Sequence, residues 1–295
     1  MSQEFSFREA KSSDKAAVLR FCQNTFSWGD YIPNVWDSWL TDQSGKIFVA
    51  TFEGIPIGMC HVEIVKTGEA WLEAARVASE FRRRGVATLL NKACLEWAME
   101  RGAKVARLVT DSNNFTAQKA LPKLEFEQVS DWALMEFNGC ELDACKNVRL
   151  AERSDADAIW KFLVSSECFT KSAGLFTIVF RWMSLDPATL RRFIGRRMAI
   201  VHEQRNGIDG LVLFDDTAKH AWQENSMQTC YVDGDFEAVL NMGRFLKSHL
   251  YNGGVARVYG VMCNYTPLTL AFSMLGFMAR DSTELVYEKK LSLRN

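Results

Sequence analysis

The sequence has almost no net charge: 35 Lys and Arg stand against 36 Asp and Glu, a formal −1 at pH 7. A nearly neutral chain argues against a general binder of nucleic acid or membrane surface, so any basic run in it is a local feature. It also lacks CxxC and CxxH spacings. Its eight cysteines (Cys22, Cys60, Cys94, Cys140, Cys145, Cys168, Cys230 and Cys263) are scattered and mostly sit inside apolar runs. That pattern argues against a zinc site and for core thiols of a reducing compartment. The first ten residues, "MSQEFSFREA", contain no apolar signal segment, and no apolar run approaches the length of a membrane span. The expectation is a soluble, cytoplasmic protein without a metal, a membrane or a nucleic-acid partner, its oligomeric state left open.

What is present is an ordinary globular balance, 48% apolar and 24% charged over 295 residues. That length favours two domains. The chain nearly repeats itself. "FREAKSSDKAAVLRFC" (Phe7–Cys22) resembles "VRLAERSDADAIWKFL" (Val148–Leu163), each a short strand, a Ser-Asp helix start and an apolar helical stripe. The ends also match. "LPKLEFEQVSDWALMEF" and "FSMLGFMARDSTELVYEKK" each close on a helix end, a phenylalanine (Phe126 or Phe277) and an alternating strand. The spacing is too long for a solenoid and fits one domain duplicated, residues 1–140 and 146–295, joined near Asn138–Asn147.

In the first half, Ile47–Phe52, Ile57–Val65 and Ala70–Ala78 read as strands, with turns at Glu53-Gly54 and Lys66–Glu69. Val86–Arg101 reads as a helix closed by Gly102, Val105–Thr110 as a buried strand, and Phe115–Leu124 as a short helix strained by Pro122. This order predicts a mixed α/β sheet. Between strand and helix lies "SEFRRRGVATLL". The first amides of a helix have no intrahelical partner and carry about half a positive charge. Gly85 lets backbone approach a ligand, Ala87 keeps the helix entry uncrowded, and the arginines add fixed charge, together a cradle for a phosphate-type anion. The bland alternative is a solvated basic turn.

These residues carry a resemblance. "VASEFRRRGVA" resembles motif A of the GCN5-related N-acetyltransferase (GNAT) superfamily, Gln/Arg-x-x-Gly-x-Gly/Ala, with Arg82, Gly85 and Ala87 at the fixed places and Val77 at the apolar place on the preceding strand. The resemblance covers most of Glu4–Phe137. It is not a phosphate-binding loop of the Gly-Lys-Ser/Thr kind, and no GxGxxG is present. It implies two tandem GNAT-like domains, the second diverged, and acetyl-coenzyme A as cosubstrate. Its pyrophosphate would lie on the amides of Arg83–Thr88 and its pantetheine arm on the backbone of Val77. The implied coenzyme residues are Val77, Arg82, Arg83, Arg84, Gly85, Val86, Ala87, Thr88, Asn114 and Ala117. A narrower match joins "WGDYIPNVWDSWL" and the motif to histidine N-acetyltransferase and its relatives, and makes Asp30 and Tyr31 candidates for the substrate pocket.

Acetyl transfer needs an uncharged amine and therefore a proton acceptor. Glu73 stands where many members of the superfamily carry a glutamate; it is the candidate base, or a carboxylate that only orients the substrate amine. Alternation puts it on one face with Trp71, Ala75 and Val77, and His61 and Glu63 are weaker candidates on the next strand. The pattern departs from the family at Leu121, where a tyrosine usually protonates the leaving thiolate, and at Glu125, usually glycine; Tyr31 or Tyr231 is the alternative acid. In the second half "CYVDGDFEAVLNMGRFL" puts Asp233, Gly234, Asp235 and Glu237 where the basic loop belongs, which repels phosphate. Two readings stay open. One is an N-acetyltransferase for a small amine, with a free amino acid such as histidine as candidate. The other is a non-catalytic acyl-coenzyme A sensor or interaction module.

Overall fold

The structure is a computed structural model that describes residues 5–23, 25–26, 29–138, 144–215, 226–253, 255 and 257–292. Half of the proposed junction, residues 139–143, lies outside the described residues. The elements run β1 (Ser6–Glu9), α1 (Lys15–Cys22), α2 (Ile32–Thr41), β2 (Gly45–Phe52), β3 (Ile55–Lys66), β4 (Glu69–Val77), α3 (Val86–Glu100), β5 (Val105–Asp111), α4 (Phe115–Ala120) and β6 (Glu127–Asn138). They continue β7 (Val148–Leu150), α5 (Ala156–Ser165), α6 (Glu167–Lys171), β8 (Leu175–Ile178), β9 (Arg181–Ser184), α7 (Pro187–Gly195), β10 (Ala199–Gln204), β11 (Gly207–Asp215) and β12 (Ser226–Gly234). Last come α8 (Phe236–Gly253), β13 (Arg257–Cys263), α9 (Thr266–Met274), β14 (Met278–Ala279) and β15 (Glu284–Lys290). This is the mixed α/β architecture the sequence predicts. Among the described residues, no helix is long and apolar enough to cross a membrane.

Two compact units emerge. The first holds the described residues of Met1–Leu108, Ala120–Glu127 and Glu288–Asn295, and the second those of Val109–Lys119 and Gln128–Tyr287. In the first, β1, β2, β3 and β4 pair antiparallel in that order and β4 pairs β5 in parallel. Glu53 and Gly54 both take positive φ, 51° and 81°, which gives the tight turn that suits the twist of a hairpin. Residues from the chain's end complete this unit: Glu288 binds Arg107 Nε at 2.7 Å, and Lys289 Nζ reaches Leu124 O at 2.8 Å. The second unit repeats the order. Strands β7, β10, β11 and β12 pair antiparallel, and β12 pairs β13 in parallel.

The repeat extends to single atoms. Arg8 forks onto Asp14 at 2.7 and 2.9 Å, and Arg149 onto Asp155 at 2.6 and 3.0 Å. Each aspartate also accepts a backbone N–H three residues back, from Lys11 at 2.8 Å and Glu152 at 2.7 Å. The Ser-Asp pair is therefore not a side-chain cap of the helix that follows. Its carboxylate closes a turn of 3₁₀-helix and anchors the strand's arginine. In each case the arginine, and then the backbone N–H, hold the carboxyl below its ordinary pKa of 3.8. A depressed folded-state pKa contributes stability that is present above the unfolded value and is lost as pH falls through the folded one. Asp14→Asn and Asp155→Asn are thus expected to lower the melting temperature at pH 7. The gap to the unsubstituted protein closes as the pH falls below 3.8. A gap that stays constant down to acid would remove the charge from the explanation.

The helix expected over Phe115–Leu124 is divided. It is α-helical only to Ala120, and Leu121–Leu124 is a 3₁₀ turn with Pro122 inside it. Proline has no N–H to donate and crowds the preceding turn, so the α-helix stops before it. Glu125 then takes φ 63° and ψ 29°. The family's usual glycine at this place answers that left-handed demand.

Candidate active site

The basic loop is seated by a glycine in the sheet. A Cβ at Gly58 would lie 3.0 Å from Val86 Cγ1 and 3.2 Å from Leu90 Cδ1, so glycine there lets the first turns of α3 rest closely against β3 without crowding. Val86 is buried there, whereas Arg82–Gly85, Ala87 and Thr88 are exposed. Gly85 is the N-cap residue at φ 85° and ψ −2°, and no side chain caps the helix. The intrahelical ladder begins with Leu89 N–H on Gly85 O at 3.0 Å, so the amides of Val86, Ala87 and Thr88 precede it. Arg83 is also left-handed, at φ 61°. A Cβ at Gly85 would meet no atom within 4 Å. The turn is therefore an open, uncapped run of N–H groups at the positive end of a 15-residue helix, which fits a pyrophosphate.

The strand that leads to the loop has an unmatched edge. β4 pairs with β5 only over Glu69–Trp71 against Val105–Arg107. Beyond that, Leu72–Val77 has no rung on β5. Ala78 N–H bonds Ile57 O at 2.8 Å, so by alternation the N–H and C=O of Val77 face the other edge. Arg82 Nε reaches that carbonyl at 3.1 Å and fixes the loop to the strand. Arg84 lies over the Phe81 ring, 5.5 Å from its centroid.

A β-bulge rearranges the face that carries Glu73. His61 pairs with Glu73 but Met59 with Arg76, so β4 holds one residue more than β3 there, and Ala74 takes φ 60°. Residues opposite one another share a face. Trp71, Glu73 and Arg76 therefore lie together, and Val77 turns with Gly58 to the α3 side. Alternation predicts Ala75 and Val77 beside Glu73; the bulge corrects this and puts Arg76 in their place.

On that face, His61 Nδ1 lies 3.1 Å from Glu73 Oε1. The His61 side chain is fully buried and stacks on Trp39 with ring centroids 3.9 Å apart and planes 2° apart. His61, Glu63 and Glu73 each bring an atom within 4.8 Å of the others, a His-carboxylate grouping that an argument from cysteine spacing does not reach. Beside it, Arg76 Nε binds Asp30 Oδ2 at 2.8 Å, with the Asp30 side chain 1% exposed. The guanidinium lies 5.1 Å from the Phe26 ring and 5.6 Å from that of Tyr31. Burial works against the Arg76 charge, but Asp30 and Tyr31 outweigh it and its pKa ends above the ordinary value. Burial, then Asp30, pushes the Cys22 thiol up to about 12, which leaves it inert. Breaking a buried pair such as Asp30–Arg76 costs about 3–5 kcal/mol, so Asp30 has a folding role before any role toward substrate. Tyr31 packs edge-on against Trp39, with centroids 6.1 Å apart.

Asp30, Tyr31, Glu73, Val77 and Arg82–Thr88 all belong to the first unit, while Asn114 and Ala117 belong to the second. Asn114 Oδ1 accepts from Ala117 N at 3.2 Å and caps α4. Leu121, at the usual tyrosine place, is buried. Tyr231 is fully buried and donates to Asp233 at 2.7 Å, so its hydroxyl is committed. The second unit's counterpart of the loop is closed. A Cβ at Gly210 would strike Met242 and Ala238, the contact that Gly58 makes in the first unit, so Ala238 corresponds to Val86. A single residue separates β12 from α8, and Asp235 Oδ1 accepts from Ala238 N at 2.8 Å. β12 likewise leaves β13 after three pairs, but Thr229 Oγ1 bridges the gap, donating to Val261 O at 2.7 Å and accepting from Val261 N at 2.8 Å. His61, Trp39 and Arg76 are what sequence reasoning underrates. The signal was a histidine on the strand next to Glu73 and a "SWL" already matched to a family segment.

Residues 14–126 match the family model described as Acetyltransferase (GNAT) family. Histidine N-acetyltransferase from Xenopus tropicalis is 30% identical over 142 residues, 47% of this chain and 43% of that protein. The chain thus matches less than half the length of that relative. A GCN5-related N-acetyltransferase from Sphaerobacter thermophilus superposes with a TM-score of 0.62 at 14% identity, covering 99% of this chain and 98% of that one. A tandem GNAT protein from the clavulanic acid biosynthesis pathway does so at 0.54 and 11% identity, over 99% and 100% of the two chains. Residues 14–126 are thus similar to the GNAT acetyltransferase family, and the described residues share the fold of tandem GNAT proteins.

Proposed function

We propose that the protein is an acetyl-coenzyme A-dependent N-acetyltransferase whose acceptor is a small-molecule amine, with a free amino acid such as histidine as the candidate. The observation that carries this is the open, uncapped first turn of α3 on the same strand-loop-helix unit as Glu73. The amides of Val86, Ala87 and Thr88 hold the pyrophosphate, with Arg82 and its neighbours adding charge, and the edge of Val77 meets the pantetheine arm. When bound, the coenzyme supplies the acetyl thioester. Glu73 takes the proton from the acceptor amine. The N–H of Val77 stabilises developing negative charge in this reading, a contribution of typically about 3 kcal/mol.

The acceptor assignment rests on the matched relative's name and on "GDYIP" leading into α2. A buried carboxylate needs a donor, and Tyr31, packed between Trp39 and Arg76, is the chosen one. Tyr31→Phe is expected to raise the Michaelis constant for the amino acid and leave that for acetyl-coenzyme A almost unchanged. Faster acetylation of a peptide N-terminus or a polyamine than of any free amino acid would remove this acceptor class.

The deciding experiment is a screen of amino acids and polyamines for thiol release from acetyl-coenzyme A. Release with one acceptor supports the enzyme. A thermal shift with the coenzyme but no release with any amine supports the sensor instead.

A further inference from the structure

We infer that His61 is a positioning residue: its Nδ1–H holds the Glu73 carboxylate in the orientation that receives the acceptor's proton. This rests on the reading of Glu73 as the base. Among the described residues the imidazole has no second hydrogen-bond partner. Nε2 is buried without a hydrogen bond among the described residues, and a Cβ at Gly45 would sit 2.7 Å from it. That fixes the tautomer. A proton on Nε2 would bury an unsatisfied N–H and leave the Nδ1 lone pair facing a carboxylate oxygen, whereas a proton on Nδ1 makes a charge-assisted hydrogen bond at 3.1 Å.

The same geometry excludes two other roles. A relay must release on one side what it accepts on the other, and Nε2 has nothing to release to. A base must reach the substrate, and His61 is fully buried with one face covered by the stacked Trp39. What remains is orientation. Glu73 keeps part of its surface in solvent, 18% of the side chain, while one oxygen is held from behind. Trp39 belongs to α2 and His61 to β3, so the ring is set by two elements and does not depend on the substrate.

Leucine and asparagine have nearly the same shape, and only asparagine has an N–H where Nδ1 lies. Both lose the stack on Trp39, so their difference isolates the hydrogen bond. His61→Leu is expected to lower kcat by roughly 10-fold or more, the usual scale for loss of an outer-shell partner, with the Michaelis constant for acetyl-coenzyme A unchanged. His61→Asn is expected to recover most of kcat. Crystal structures of the two variants supply a readout without activity: Glu73 in one orientation in His61→Asn and displaced in His61→Leu. Equal turnover in both variants, or an unmoved Glu73 in His61→Leu, overturns the inference while sparing the acetyltransferase reading. Turnover lost on chelation and restored by a divalent cation also overturns it, because His61 would then be a ligand. If the unsubstituted protein acetylates no amine, the functional reading fails, and the crystal structures still decide whether His61 holds Glu73.

Discussion

Gly85→Glu is expected to abolish the thermal shift that acetyl-coenzyme A gives the protein. Two effects act together. A residue with a Cβ at φ 85° pays about 1–2 kcal/mol of backbone strain, and the new carboxylate can fold onto the amides of Val86–Thr88 as an internal cap in place of the pyrophosphate. Gly85→Asn separates them. Asparagine tolerates left-handed backbone and adds no charge, so it is expected to weaken binding far less. No residual binding is expected from the second unit, where Asp235 already occupies the matching amide and Thr229 bridges the matching gap. The shift is read by thermal denaturation with and without coenzyme. Binding that survives Gly85→Glu would move the coenzyme elsewhere.

The loop was legible because every signal in it is local. A strand ending at Val77, a glycine at positive φ and a helix start at Val86 follow one another closely along the chain, and local signals need no knowledge of what packs above them. The duplication was legible for the same reason, since a short strand, a Ser-Asp pair and an apolar helical stripe follow one another in both halves. The bulge at Ala74 was not. One extra residue in β4 carries no mark in an alternating pattern, yet it moves Arg76 onto the face of Glu73. The environment of Glu73 was hidden too, because it depends on contacts between α2 and β3 that no spacing encodes. Asp30 shows the opposite case. The sequence singles out Asp30 as a candidate for the substrate pocket, but its carboxylate is taken up by Arg76.

Glu73→Gln has the largest expected effect on the chemistry. Turnover near neutral pH is expected to fall roughly 100-fold or more, the scale of losing a general base. Glutamine is close to isosteric and its carbonyl can still accept from His61 Nδ1–H, so the dyad and the stack on Trp39 survive. Coenzyme affinity is expected to hold, because the amides of α3 are untouched. The combination separates the base from its alternatives. A residue that only orients the acceptor would raise the Michaelis constant for the amine and spare kcat at saturation. A purely structural residue would lower the melting temperature and leave both. Steady-state rates across pH, with coenzyme binding measured on the same preparation, tell these apart, and a variant with normal turnover at every pH would leave Glu73 as part of the fold alone.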